Sequence, residues 1–260
     1  GIFFFGNTVT NPTTHDTAIT QMFVFGGQYV AAIGNQFDKA GNHAWYTGPM
    51  SYVIFADNII SRPAYGRTAF RVTTGNEILV TNNKFLGWID PIGTNTDGFF
   101  AHNGGGTNYN YLLLQFGPNV SGASPPLKLK TVEFSKNVIT NCDGCMEITN
   151  AEDMVVKNNL FITPDTGSSQ TILIGNDFAS DQFPDKNLDI VGNTFVLNGG
   201  NSGSTADIFR VRDFTTTSNI GDRHQNINIK NNILYSVSSA NPVRVIDFNQ
   251  AIAADLAEFH

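Results

Sequence analysis

One short phrase recurs along this chain. It reads VVKNNLF at 155–161, and near copies read AAIGNQF, ILVTNNKF, VEFSKNVI, LDIVGNTF and INIKNNIL. An Asn holds the pivot each time, at Asn7, Asn35, Asn58, Asn83, Asn137, Asn159, Asn193 and Asn232. The intervals are 28, 23, 25, 54, 22, 34 and 39 residues. Repeats of twenty-odd residues with occasional longer steps mark a solenoid, in which each unit buries its apolar face only by stacking on its neighbours. The interval of 54 fits either two units or one unit with an insertion.

Apolar and polar residues alternate before the pivot, as in VEFSKN and INIKNN. Period two is the signature of a strand. A second set of strand-like segments precedes most of these corners, with a short turn expected between the two strands: HAWYTG, TAFRVTTG, DGFFAHN, GCMEITN, QTILIGN, DIFRVRDF and PVRVIDF. Strand, turn at Asn and short strand, repeated, predict an all-β fold. We read it as one right-handed parallel β-helix of about 8–10 coils, the hand following from the general preference for right-handed crossovers. Asn suits the corner because it tolerates the left-handed backbone region and its amide bonds locally. Stacked copies would form a ladder along the axis.

Longer excursions are expected at Asn103–Lys128, Pro164–Ser169, Ala179–Lys186 and Thr215–Gln225, all rich in turn-forming residues. No domain boundary is evident, so residues 1–260 read as one domain. The last residues, QAIAADLAEFH, read as a short helix capping the final coil. The start, GIFFFGN, carries no comparable cap, although solenoid ends need one. The expectation is a fragment whose first coil is covered by upstream residues or by another chain, end to end or within a homo-oligomer.

Charge narrows the partners. The formal net charge is −7, the isoelectric point is about 5.1, and no Lys/Arg run occurs, which argues against nucleic acid. No apolar run is long enough for a membrane span. The Gly104–Gly106 run lacks the Lys and helix of a phosphate loop. Cys142 and Cys145 stand without a second pair or nearby histidines, so they read as a packed thiol pair or a local disulfide rather than a metal site. No metal or cofactor is expected.

Strand alternation sorts the preceding set into inward and outward residues. Trp45, Phe70, Val72, Met146, Ile148, Phe209 and Val211 point inward. The outer face then presents Tyr46, Arg71, Phe100 with His102, Glu147, Arg210 with Arg212, and Arg244. Aromatic rings beside guanidinium groups suit an extended acidic polysaccharide, because Arg binds carboxylate or sulfate in a bidentate way. Tyr46, Arg71, His102, Arg210 and Arg212 are the candidate sugar contacts. Glu147, between apolar neighbours, is an acid/base candidate.

The order of motifs resembles the pectin-lyase-like superfamily of parallel β-helices, and within it the polygalacturonase family of glycoside hydrolases. That family carries Asn-Thr-Asp-Gly, then Asp-Asp, then Gly-His-Gly, then Arg-Ile-Lys on successive coils. Here NTDG stands at Asn95–Gly98, and NCDGCMEI places Asp143 at the first Asp with Gly144 at the second. Gln170 and Thr171 replace His-Gly, and Arg210 and Arg212 take the Arg and Lys positions. The resemblance implies Asp97 and Asp143 as the carboxylates of hydrolysis, with Glu147 in reserve. Hydrolysis needs one carboxylic acid at the leaving oxygen and a carboxylate to activate water. Polysaccharide lyases of the same superfold imply proton abstraction beside a uronic carboxylate, with Arg71, Arg210, His102 and Tyr46 as candidates. A secreted or cell-surface location follows from either. The reading from another class is a non-catalytic β-helix in a viral tail fibre, an adhesin or an extracellular filament.

Overall fold

The structure is a computed structural model that describes residues 1–10, 23–40, 43–63, 68–87, 110–117, 128–163, 170–175, 185–197, 206–212, 224–237 and 243–249. Every regular element among these is a β-strand. The strands form two parallel sheets, one of 13 strands and one of 8. The segment read as a C-terminal helix lies outside the described residues. Among the described residues, no helix is long and apolar enough to cross a membrane.

The chain visits the two sheets in strict rotation. Leu129–Ser135 lies in the larger sheet, Val138–Thr140 in the smaller, and Cys142–Ile148 in the larger again; Ala151–Lys157, Leu160–Thr163 and Gln170–Ile174 repeat the order one level on. This alternation is compatible with a β-solenoid. The larger sheet is forked. Strand Phe70–Thr81 pairs through Phe70, Arg71 and Val72 with Leu114, Gln115 and Phe116, and through Gly75 to Thr81 with Leu129–Ser135. Beyond it, a first branch holds Asn110–Phe116, Cys142–Ile148, Gln170–Ile174, Ala206–Arg212 and Val243–Asn249. A second branch holds Leu129–Ser135, Ala151–Lys157, Lys186–Val191 and Gln225–Lys230.

In the N-terminal levels the two branches are single long strands, Phe23–Ile33, Trp45–Ala56 and Phe70–Thr81. The sequence reading expected a turn between them. Close stacking at the bend explains part of the difference: a Cβ on Gly75 would lie 2.3 Å from the Met50 carbonyl oxygen. Glycine lets the backbones approach there without breaking the strand. A second correction concerns Asn103–Lys128. It is not one excursion, because Asn110–Phe116 is a strand of the first branch. The interval of 54 is one level with insertions, since Asn83 bonds directly to Asn137 and Lys84–Leu86 pairs with Val138–Thr140.

The recurrent Asn residues form a continuous ladder. Asn137 shows the unit: its Nδ2 donates to the Val80 carbonyl and to Asn159 Oδ1, at 3.0 and 3.1 Å, while its own Oδ1 accepts from the backbone N and Nδ2 of Asn83, at 2.9 and 3.0 Å. The same pattern links Asn35, Asn58, Asn83, Asn159 and Asn193. The left-handed residue is the one before the ladder Asn. Gly6, Gly34, Asp57, Asn82, Lys136, Asn158, Gly192 and Asn231 take φ between 55 and 68°. The ladder Asn is chosen for its amide, which satisfies buried backbone groups at the corner.

Inside, aromatic and aliphatic rows stack in register. In the smaller sheet Phe37, Ile60, Phe85, Ile139, Phe161 and Phe195 are successive partners, all 0–1% exposed. Each such side chain contributes about 1.5–3 kcal/mol by leaving water. The sequence assignment of Trp45, Phe70, Val72, Met146, Ile148, Phe209 and Val211 to the interior holds, each at 0–2% exposure.

Candidate functional site on the first branch

Parallel pairing turns one outward position per strand into a column. On the first branch the column runs Tyr46, Arg71, Gln115, Glu147, Leu173, Arg210 and Asp247. The structure thus brings together four candidates from the sequence: Tyr46, Arg71, Glu147 and Arg210. Gln115, not His102, occupies the level between Arg71 and Glu147. Asp97 and His102 lie outside the described residues. Asp143 and Arg212 belong to described strands, but their side chains are outside what the structure describes.

Arg71 is the centre of the upper half. Its Cζ sits 5.2 Å from the centroid of the Tyr46 ring, in cation–π range. The Tyr46 ring in turn lies 5.0 Å from His43, whose Nδ1 contacts the Thr68 carbonyl. Burial pulls the Arg71 guanidinium below its ordinary value, and the proximity of Tyr46 and Glu147 pushes it back up. Arginine remains a cation under any such shift. Its Nε is buried and has no hydrogen-bond partner among the described residues. An unsatisfied buried donor on a cation costs a few kcal/mol, about 1–3 or more.

Glu147 is 8% exposed, and its Oε1 accepts a hydrogen bond from Gln115 Nε2 at 3.1 Å. Its strand is pinned by a disulfide between Cys142 and Cys145, which resolves the two alternatives left open for that pair. The bridge holds Asp143 and Gly144 between its two half-cystines. No group of three or more His, Cys, Asp or Glu residues placed to hold a metal occurs among the described residues.

The lower half of the column is different. Asp207 is fully buried and accepts Arg210 Nε at 3.0 Å and Arg244 Nε at 2.8 Å. Asp247 lies 3.3 Å from Arg210 and 2.7 Å from Arg244. Hydrogen bonding to Asp207, with the charges of Asp207 and Asp247, raises Arg244 above its ordinary value despite some desolvation. These two guanidinium groups are engaged by two carboxylates, whereas Arg71 has Tyr46 on one side and, on the other, Gln115 between it and Glu147.

No protein-family model matches the chain, and no curated protein matches it. The arrangement of side chains carries the functional argument alone.

Sequence reasoning misses Gln115, because the long stretch around it reads as loop. The signal is present: YLLLQF is an apolar run of strand length, interrupted by Gln115 alone and ending in an aromatic residue. It also misses a second column of left-handed residues, six positions before each ladder Asn, at Tyr29, Tyr52, Glu77, Thr131, Asp153, Asn187 and Asn226. Their side chains share no chemistry, so only the backbone geometry reveals the constant offset from the pivot.

Proposed function

We propose that this protein is a secreted or cell-surface right-handed β-helix of about 8–10 coils, of the pectin-lyase-like kind, that grips an acidic polysaccharide along the first branch. The observation that carries this reading is Arg71: a desolvated guanidinium beneath a tyrosine ring, with its Nε unsatisfied. A uronate carboxylate satisfies a planar guanidinium in bidentate geometry, and Tyr46 offers a flat face to the sugar ring. The disulfide between Cys142 and Cys145 supports an oxidising compartment.

Cleavage is the second half of the proposal. In hydrolysis, Glu147 or Asp97 protonates the leaving oxygen and Asp143 activates water, with Arg71, Arg210, Arg212 and His102 holding the chain. In elimination, a base removes the proton beside the carboxylate that Arg71 neutralises, the freed electron pair forms a C=C bond as the C–O bond breaks, and the leaving oxygen takes up a proton, so an unsaturated sugar and a new reducing end remain. A panel of acidic and neutral polysaccharides, read for new reducing ends and for ultraviolet absorbance, separates the two. Reducing ends alone mean hydrolysis; both signals mean elimination. Arg71→Met should abolish either. Silence on every substrate sinks the enzymatic half, and retained binding in Arg71→Met sinks the whole.

One observation favours a structural role instead. Phe3 and Phe5 are 63% and 57% exposed at one end of the described stack, and Ile233 and Tyr235 are 63% and 59% exposed at the other. Apolar surface at stack ends suits contact with another chain. Sedimentation at rising concentration tests it: a constant monomer overturns it.

A further inference from the structure

The outer side of the second branch holds a groove of about 750 Å³ that no part of the proposed polysaccharide site uses. Tyr29, Tyr52, Ile54 and Leu79 line its apolar part, and Glu77, Glu133 and Asp153 its acidic part. It crosses six strand levels, from Phe3 to Val155. At 4.7–4.9 Å per strand it is about 24 Å long, and three residues across make it about 10 Å wide.

Two tyrosines stand where the backbone favours other residues. Tyr29 and Tyr52 take φ of 58° and 59°, a region costly for bulky side chains. The same corner position on later levels holds Glu77, Thr131, Asp153, Asn187 and Asn226, of which Asp and Asn enter that region most readily. The rings nevertheless stack at 4.9 Å with planes 6° apart, 57% and 49% exposed. Backbone strain that supports an exposed aromatic pair points to a use for the rings.

We propose that this groove binds a glycan chain free of acidic groups, with amine-bearing glycans preferred. Its shape selects something long and narrow. The footprint of about 240 Å² is far below the roughly 800 Å² per partner of a stable protein interface. Two copies meeting groove to groove would enclose a channel instead of packing. An extended peptide would need a free strand edge along the groove, but every floor strand after Ile2–Phe5 is paired on both sides. The tyrosines combine an apolar face with a polar tip, which suits a sugar ring. Carboxylates accept hydrogen bonds from hydroxyl and ammonium groups. Glu133 is already engaged by Lys157 at 2.9 Å and Asp153 by Asn187 at 2.7 Å, which leaves Glu77 as the principal acceptor. The carboxylates also repel the acidic polymer assigned to the first branch.

Calorimetric titration with a chitosan oligomer, a cello-oligosaccharide and an oligogalacturonate of equal length tests the assignment. The chitosan oligomer should bind more tightly than the cello-oligosaccharide. Tyr52→Asn should weaken both by about tenfold without lowering the melting temperature, because Asn fits the corner. Glu77→Gln should remove the preference for the amine. Arg71→Met should leave both affinities unchanged while weakening oligogalacturonate, so the two sites fail separately. The proposal falls if wild-type protein binds neither probe, if Tyr52→Asn binds both as tightly as wild type, or if Arg71→Met abolishes the binding. It also falls if wild type sediments as a dimer that Tyr52→Asn dissociates, which would make a second copy the occupant.

Discussion

The Asn corner and the Arg71 column run parallel along the same stack, yet they are built on opposite rules. At the corner every level repeats one residue, and from Asn35 to Asn232 both amide atoms of each have a partner. On the first branch every level carries a different residue: tyrosine, arginine, glutamine, glutamate, leucine, arginine, aspartate. One of them, Arg71, is left with an unsatisfied buried nitrogen. Repetition with full satisfaction is what architecture requires, because each level must fit the next. Departure from repetition is what recognition requires, because a ligand reads differences. Substitutions at the two places should therefore fail in different ways.

The largest effect is expected at the corner. Asn137→Ala removes four hydrogen bonds and leaves the buried Asn83 backbone N without its acceptor. Lost bonds and stranded groups together should cost about 3–5 kcal/mol in denaturant unfolding. A cost below about 1 kcal/mol would mean that the ladder records the fold without stabilising it.

Asp207→Asn should come next, at about 2 kcal/mol, because it leaves Arg210 and Arg244 with only Asp247 between them. That outcome would divide the column into a tied lower half and a ligand-facing upper half. An unchanged stability would return Arg210 to the sugar contacts on equal terms with Arg71.

Arg71→Met should leave stability within about 1 kcal/mol, since removing a desolvated cation relieves a penalty as it deletes a contact. Polysaccharide affinity should nonetheless drop at least tenfold, or about 1.4 kcal/mol. A stability loss as large as that of Asn137→Ala, with binding intact, would collapse the distinction between corner and column.

These contrasts also explain what could be read from the chain beforehand. Repetition is visible in a sequence, so the parallel strands, the ladder and the inward rows at Phe70, Met146 and Phe209 were legible. The left-handed corner residue was misplaced by one position, because Gly34, Asp57 and Lys136 share no side-chain chemistry; only backbone geometry unites them. Tyr46, Arg71, Glu147 and Arg210 were legible as outward residues from alternation alone. Their order was not fully so, since Gln115 reaches the column only through the pairing of Asn110–Phe116 with Cys142–Ile148. The partners of Arg210 were hidden too: Asp207 is three residues away, but Arg244 and Asp247 arrive from the next strand.

The smallest expected effect concerns acid. Near the smaller sheet, burial pushes the Asp38 carboxyl up, but hydrogen bonds from Arg62 and Ser61 and the charges of Arg62 and Lys39 together outweigh it, so it ends below its ordinary 3.8. On the second branch, the Lys157 hydrogen bond is the main cause that holds Glu133 below its ordinary 4.5, aided by Ser135 against partial desolvation. A carboxylate depressed in the folded state binds protons more weakly there than in the unfolded chain. Its stabilisation is therefore complete above the unfolded value and fades as pH falls through the folded one. Urea unfolding should be flat above about pH 5 and weaken steadily below about pH 4. Asp38→Asn should cost less than about 1 kcal/mol at neutral pH, as expected for a partly exposed pair, and should flatten the acid limb by the same amount. Both carboxylates lie away from the Arg71 column, so polysaccharide affinity at neutral pH should not change in this variant. An affinity that moved with Asp38→Asn would show that the outer column responds to the packing of the smaller sheet, and the separation between architecture and recognition would not hold.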